Sequence, residues 1–315
     1  MKYIAMFQEG IHVSDVYLCK QKQILLTKNG KEYGSLILRD KTGTVDAKIW
    51  DLSSPGVGDF DAMDYVYIEA DVVAFQGAKQ LNVRRIRKAD EGEYIQSDYL
   101  PMSEKSIDAM YKELTGLIHS MKNPYLKKLV SSFFLEDKQF IQDFCFHSAA
   151  KTVHHGFVGG LLEHTLGVAK LCDYFAANYK EINRDLLLSA AFFHDMGKMK
   201  ELSRFPENDY TDDGQLLGHI MIGTEIVGNR IREIPGFPDK LASELKHCIL
   251  AHHGEMEYGS PKKPALIEAM ALYFSDNADA KLETMIEILR GSGDNAGWLG
   301  FNRLLDTNVR RSTEF

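Results

Sequence analysis

The chain has 315 residues, enough for about two domains of roughly 100–200 residues each. Hydrophobic residues make up 44% and charged residues 26%, which excludes a disordered or fibrous chain. The net charge of −8 is uneven, +1 over residues 1–90 and −9 over the rest; this excludes a bulk nucleic-acid coat but allows a local basic strip or a cation site in the acidic part.

At the start, Met1–Gly10 has one Lys and no apolar core followed by small residues, so no secretory signal is expected. From Gly10 to Lys88 short strands alternate with turns. Tyr33–Arg39 leads through the turn Asp40–Gly43 into Thr44–Trp50, where Val45, Ala47 and Ile49 alternate with Asp46, Lys48 and Trp50 as in a half-buried hairpin strand. Asp64–Phe75 is a further strand, and Gln76–Lys79 turns the chain into Gln80–Arg87. Five strands in about 80 residues are too few for a sandwich and predict a small barrel.

The run Ile37–Trp50 (ILRDKTGTVDAKIW) resembles the strand–turn–strand of nucleic-acid-binding OB-folds. Such barrels hold single strands with basic side chains and aromatic platforms, and the resemblance assigns that role to Lys31, Arg39, Lys48 and Trp50. The alternative is that these four residues are only the solvated face of a barrel.

Ala89–Glu104 is polar and turn-rich. It sets a linker at 91–105 between a barrel domain, 1–90, and a helical domain, 106–315. In the latter, Leu114, Leu117, Ile118 and Met121 recur at helical spacing, as do Leu161, Leu162, Thr165 and Val168. Leu186–Phe193 is uninterruptedly apolar, as a buried helix would be, with Gly197 as its stop. The expected fold class is therefore β followed by all-α.

Nowhere does an apolar run approach the ~20 residues of a membrane span. Cys19, Cys145, Cys172 and Cys248 stand far apart without a CxxC pair. That excludes a thiolate zinc site and argues against a disulfide scaffold, so a reduced, cytoplasmic protein is expected.

Nine of the eleven histidines fall between His147 and His253, which points this acidic, cysteine-poor segment towards hard or borderline divalent metals. His164, the His194–Asp195 pair, His219, the His252–His253 pair and Asp276 each lie in or beside an apolar helix. Unpaired polar groups there would be costly. A set of mutually satisfied core polars could explain a few of them; a metal cage explains the whole set better.

The order His … His-Asp … His … His-His … Asp resembles the HD-domain metal-dependent phosphohydrolases. Two stretches, His154–His164 (HHGFVGGLLEH) and Ala251–Pro261 (AHHGEMEYGSP), are similar to YhaM-type 3′–5′ exoribonucleases of Gram-positive bacteria, which also join an OB-fold to an HD domain. The likeness spans about residues 10–280; the tail from Gly291 to Phe315 aligns with nothing.

The resemblance implies a first metal on His164, His194, Asp195 and Asp276, and a second on His219, His252 and His253, bridged by Asp195. Adjacent helical residues point about 100° apart, so one of His252 and His253 would instead contact substrate. Two such ions lower the pKa of a shared water to give a hydroxide nucleophile and neutralise phosphate charge. Mn²⁺ is favoured, with Co²⁺, Fe²⁺ or Zn²⁺ also suited to such donors. Lys198 would reach a non-bridging phosphate oxygen, or be a solvated helix-end Lys. His155, or His154, would protonate the leaving oxygen or hold a phosphate, or merely cap a helix. Asp279 is either a support for a ligand or a surface acid, and His12, His119, His147 and His247 are structural or surface residues.

The implied activity is 3′–5′ trimming of single-stranded RNA, or also DNA, by a homo-oligomer. The alternatives are an HD nucleotide or cyclic-dinucleotide phosphohydrolase, and a non-catalytic nucleic-acid-binding protein. The intact ligand set argues against the last.

Overall fold

The computed structural model describes residues 1–151, 155–293, 295 and 297–313. They form two compact units, Met1–Pro101 and Met102–Phe315. In the first, strands β1 (His12–Leu26), β2 (Glu32–Asp40), β3 (Gly43–Ile49), β4 (Tyr65–Phe75) and β5 (Ala78–Lys88) close a barrel in the order β1-β2-β3-β5-β4. All pairings are antiparallel except β3 with β5. This is the closed five-stranded OB topology.

The predicted alternation holds in β3, where Val45, Ala47 and Ile49 enter a core with Leu36, Leu38, Ile68 and Leu81. The hairpin tip is tied by the buried Asp40. Its carboxylate accepts from the Thr42 and Gly43 N–H groups at 2.7 and 3.2 Å and from Ile4 N–H at 2.6 Å, so this acid is fully partnered.

The segment expected as a linker is partly built into this unit. Tyr94 stacks on Tyr65 with ring centroids 3.9 Å apart, and the buried Tyr99 donates its hydroxyl to the Val16 carbonyl at 3.1 Å. Aromatic burial outweighs the polar, turn-rich composition around these residues, and the break falls after Pro101.

The second unit carries α1 (Ile107–Ser120), α2 (Pro124–Phe134), α3 (Lys138–Phe146), α4 (Gly160–Asn178), α5 (Arg184–Phe193), α6 (Lys198–Glu201), α7 (Asp212–Arg232), α8 (Asp239–Leu250) and α9 (Ile267–Gly291). Ser106, Asn123, Asp137, Asn183 and Thr211 each cap a helix by accepting a first-turn N–H. The apolar run Leu186–Phe193 lies in α5 and is wholly buried. With α4 it forms the centre of the helical core.

One feature departs from the expected all-helical unit. After α9 a hairpin forms from β6 (Trp298–Asn302) and β7 (Thr307–Arg310). Among the described residues no helix is long and apolar enough to cross a membrane, and Cys19, Cys145, Cys172 and Cys248 are all free thiols.

Candidate metal centre

Three helices and two helix ends bring the polar residues of the second unit together. His164 comes from the buried first turns of α4, and His194 and Asp195 from the end of α5. His219 lies on α7, His252 and His253 just after α8, and Asp276 and Asp279 on α9.

Two glycines make this possible. Gly218 breaks α7 with φ 72° and ψ 156° immediately before His219, a conformation glycine adopts without penalty. Gly197 has ordinary helical angles, φ −63° and ψ −21°, so it is no left-handed helix stop. It is a contact point: a Cβ there would meet the His219 carbonyl at 2.0 Å.

The two oxygens of Asp195 face different partners. Oδ2 lies 3.3 Å from His164 Nε2 and 3.4 Å from His194 Nε2. Asp276 Oδ1 joins this group at 3.2 Å from His164 Nε2. Oδ1 of Asp195 faces the other way, 3.4 Å from His219 Nε2 and 3.7 Å from His252 Nε2. His253 completes that group; the donor atoms of His219, His252 and His253 lie within 4.8 Å of one another. His164, His194 and Asp276 satisfy the same criterion.

All five ring orientations are held from behind. The Nδ1 atoms of His194, His252 and His253 lie 2.8, 2.7 and 2.8 Å from the carbonyls of Ala191, Ile249 and Tyr258. His219 Nδ1 lies 3.0 Å from Glu201 Oε1, and His164 Nδ1 lies 2.7 Å from Asp279 Oδ2. Donation through Nδ1–H leaves each Nε2 lone pair pointing inward, the tautomer a metal ligand needs.

A cation fits what remains. The Nε2 atoms of His164 and His194 face each other at 3.1 Å, an arrangement two lone pairs tolerate only with positive charge between them. Asp195 Oδ1, His219 Nε2 and His252 Nε2 are buried without a hydrogen-bond partner, at about 1–3 kcal/mol each.

The charge balance points the same way. Burial opposes charge on His164, yet hydrogen bonds to Asp195, Asp276 and Asp279 hold its pKa well above the usual imidazole range. Burial likewise opposes charge on Asp195, but Lys198 and His194 keep it well below the carboxylate range. In His252 burial wins, helped by the neighbouring His253 and His194, and its pKa falls far below normal. This pocket favours positive charge at His164 and neutral imidazole at His252.

Three sequence expectations change in detail. His252 and His253 follow the end of α8 at Leu250, so the helical 100° offset does not apply, and both rings face His219, at centroid distances of 5.7 and 5.2 Å. Lys198 is not a solvated helix-end residue: its Nζ lies 2.7 Å from Asp195 Oδ2. His155 stands behind His164, its Nε2 3.1 Å from Asp279, and not on the side where Asp195 lies open. His154 lies outside the described residues.

Asp279, left open in the sequence between two readings, orients both His164 and His155, and these contacts bring its pKa down to about 2 against the opposing effect of burial. Glu201, which fixes His219 across 18 residues, carried no sequence signal. His147, His12 and His247 lie outside the cluster, bonded to the Ser148 carbonyl, Asp71 and the Ala265 N–H respectively.

A cavity of about 380 Å³ opens on the centre. Its lining includes His164, Asp195, Lys198, His253 and Asp276 of the centre together with Tyr258, Tyr273, Asn277, Lys281 and Leu304.

On the barrel, Lys48 lies on β3 and Trp50 directly follows that strand, stacking on Tyr33 with centroids 5.1 Å apart. Tyr33 was not singled out in the sequence, although it ends the same outward row of β2. Lys31 lies 3.5 Å from Asp51, beside this aromatic pair in sequence. Lys48 is committed to Ser35 at 2.6 Å and its side chain is only 16% exposed. Arg39 pairs with Thr44 at the opposite end of the hairpin, roughly 20 Å from Trp50 at ~3.3 Å per residue.

A closed five-stranded barrel and a helical unit with a His/Asp cluster split across one aspartate define an OB-fold joined to an HD-type metallohydrolase. A family model described as HD domain matches residues 161–281, which implies dependence on a divalent metal. The 3′-5′ exoribonuclease YhaM of Bacillus velezensis is 34% identical over 285 residues, covering 90% of both chains. YhaM of a Geobacillus species is 35% identical over 284 residues, covering 89% of this chain and 86% of the relative. YhaM of Listeria monocytogenes is 34% identical over 285 residues, again covering 90% of each. The chain belongs to the YhaM family of 3′–5′ exoribonucleases. Among solved structures, the second OB-fold domain of replication protein A from Methanococcus maripaludis aligns with 29% of this chain and 96% of its own, at 16% identity and a TM-score of 0.24; the barrel assignment rests on strand order instead.

Proposed function

We propose that the chain is a metal-dependent 3′–5′ exoribonuclease acting on single-stranded RNA, with two divalent ions at the centre just described. His164, His194, Asp276 and Asp195 Oδ2 would hold the first ion, and His219, His252, His253 and Asp195 Oδ1 the second. The observation that carries the reading is the division of Asp195 between two imidazole sets whose Nε2 atoms all point inward. When bound, the ions supply an activated water and neutralise charge building on the phosphate.

The chain's own residues do the rest. Asp279 and Glu201 fix the tautomers of His164 and His219, and His155 acts through Asp279 as a positioning residue. Lys198 places an ammonium on the cavity wall, where it can donate to a phosphate oxygen. The oxygen of water joins phosphorus, the bond to O3′ breaks, and the leaving oxygen takes up a proton. Imidazole and carboxylate donors without thiolate suit Mn²⁺. On the barrel, Trp50 and Tyr33 offer a stacking platform with Lys31 as its cation, while Lys48 is tied to Ser35 and Arg39 stands at the far end of the hairpin. Four free thiols suit a reducing, cytoplasmic location.

The deciding experiment offers the full chain and Mn²⁺ a 5′-labelled single-stranded RNA, and in parallel nucleotides and cyclic dinucleotides. Stepwise shortening of the RNA from its 3′ end is expected. Hydrolysis confined to nucleotides or cyclic dinucleotides would overturn the reading in favour of another HD phosphohydrolase.

A further inference from the structure

The tail after α9 returns to the metal centre. Leu304 in the turn of the β6–β7 hairpin lines the cavity that His164, Asp195 and Asp276 open into. Its placement is built, not incidental. Asn302 Oδ1 accepts from the N–H groups of Leu304 and Leu305 at 2.9 and 3.0 Å, an Asx-type turn that fixes the tip. The hairpin is moored to the end of α9 by Arg311, whose Nη2 donates to the Leu289 and Gly293 carbonyls at 2.6 and 3.0 Å. Val309, 2% exposed, anchors it by burial.

The other walls suit a nucleotide. Tyr258 and Tyr273 give two aromatic surfaces, and Lys198 and Lys281 give two cations. Lys281 has no acidic group within 4 Å among the described residues. Asn277 is the lining's neutral amide, so there is little to read one base against another, whereas stacking accepts any base. The volume, about 380 Å³, lies at the small end of the roughly 300–1,000 Å³ of ligand pockets. That is room for one nucleotide.

We propose that the C-terminal hairpin is the end wall of the substrate pocket. Leu304, with Tyr258 and Tyr273, holds the base of the 3′-terminal nucleotide, so that the bond presented to the metals is the last one in the strand. The inference rests on the exoribonuclease reading and adds to it the device that sets the length of each product.

The test uses full-length chain carrying Leu304→Ser, Leu304→Met or Asn302→Ala. Each is given uniformly labelled RNA and a trinucleotide in Mn²⁺, with products resolved by length and metal content measured on the same preparations. Wild type and Leu304→Met should release mononucleotides. Leu304→Ser and Asn302→Ala should release di- and trinucleotides as well, with KM for the trinucleotide raised about tenfold, as for loss of one base contact. Metal content should stay unchanged. Mononucleotides alone and an unchanged KM from Leu304→Ser would overturn the end-wall role while leaving the exoribonuclease reading standing. A wild type inert on every RNA would overturn both.

Discussion

Asp279→Asn is the sharpest perturbation of the centre, because it changes one oxygen for an amide and removes none of the seven His and Asp groups that face the two ion positions. Asp279 Oδ2 receives His164 Nδ1 at 2.7 Å and His155 Nε2 at 3.1 Å. An asparagine can accept at one atom only, and it carries no charge to hold the proton on Nδ1. When its amide turns an N–H towards His164, the imidazole proton moves to Nε2 and blocks the donor lone pair. Losing such a carboxylate behind a ligating histidine costs about 10–100-fold in metal affinity, or ~1.4–2.7 kcal/mol. The expected result is Mn²⁺ binding weakened by that factor in calorimetry. Activity should fall at low Mn²⁺ and return as Mn²⁺ is raised. Asp276→Asn, which removes a donor facing the first position, should not be rescued in this way. Wild-type Mn²⁺ affinity in Asp279→Asn would refute the argument that Asp279 works through His164.

Asp195→Ala should abolish hydrolysis and leave both histidine sets without their shared carboxylate; turnover above a few per cent of wild type with full metal content would place the centre elsewhere. Gly197→Ala should push the His219 backbone away and lower metal stoichiometry from about two towards one, read by elemental analysis of the purified protein. Trp50→Ala should weaken binding of long single strands by about 1–3 kcal/mol, the value of one stacked base, while cleavage of a trinucleotide stays at the wild-type rate; equal losses on both substrates would remove the barrel from strand binding.

The barrel was legible because strand period and turn chemistry are local: Val45, Ala47 and Ile49 announce an inward face, and Asp40–Gly43 announces the turn. The inner ring of the centre was legible for a different reason. His194–Asp195, His252–His253 and Asp276 are polar residues set in apolar surroundings, which demands a partner. What supports that ring could not be read the same way. Glu201 reaches His219 only because Gly218 breaks α7 and Gly197 lets the backbone approach, a long-range contact that neither spacing nor periodicity encodes. At Tyr94 and Tyr99 packing of aromatic rings draws part of the linker into the barrel unit, against a polar, turn-like composition. Lys198, open in the sequence between a phosphate contact and a solvated helix end, has its ammonium held 2.7 Å from Asp195 Oδ2, a contact that spacing alone does not encode.

The composition of α4 and α5 follows from the same electrostatics. Three polar atoms, Asp195 Oδ1, His219 Nε2 and His252 Nε2, are buried without partners. At about 1–3 kcal/mol each, they cost together an amount comparable with the whole stability of a domain, about 5–15 kcal/mol. The surrounding core must offset that cost before any ion binds. It does so where the centre is anchored: the α5 run from Leu186 to Phe193 is buried along its full length, and Phe192 and Phe193 tilt against Phe134 at 5.9 Å. Burying a side chain of this size contributes about 1.5–3 kcal/mol, so two or three of them balance the unpartnered donors. A buried, mostly apolar helix ending in His-Asp is therefore one physical unit, in which the apolar part supplies the stability that the polar end withholds.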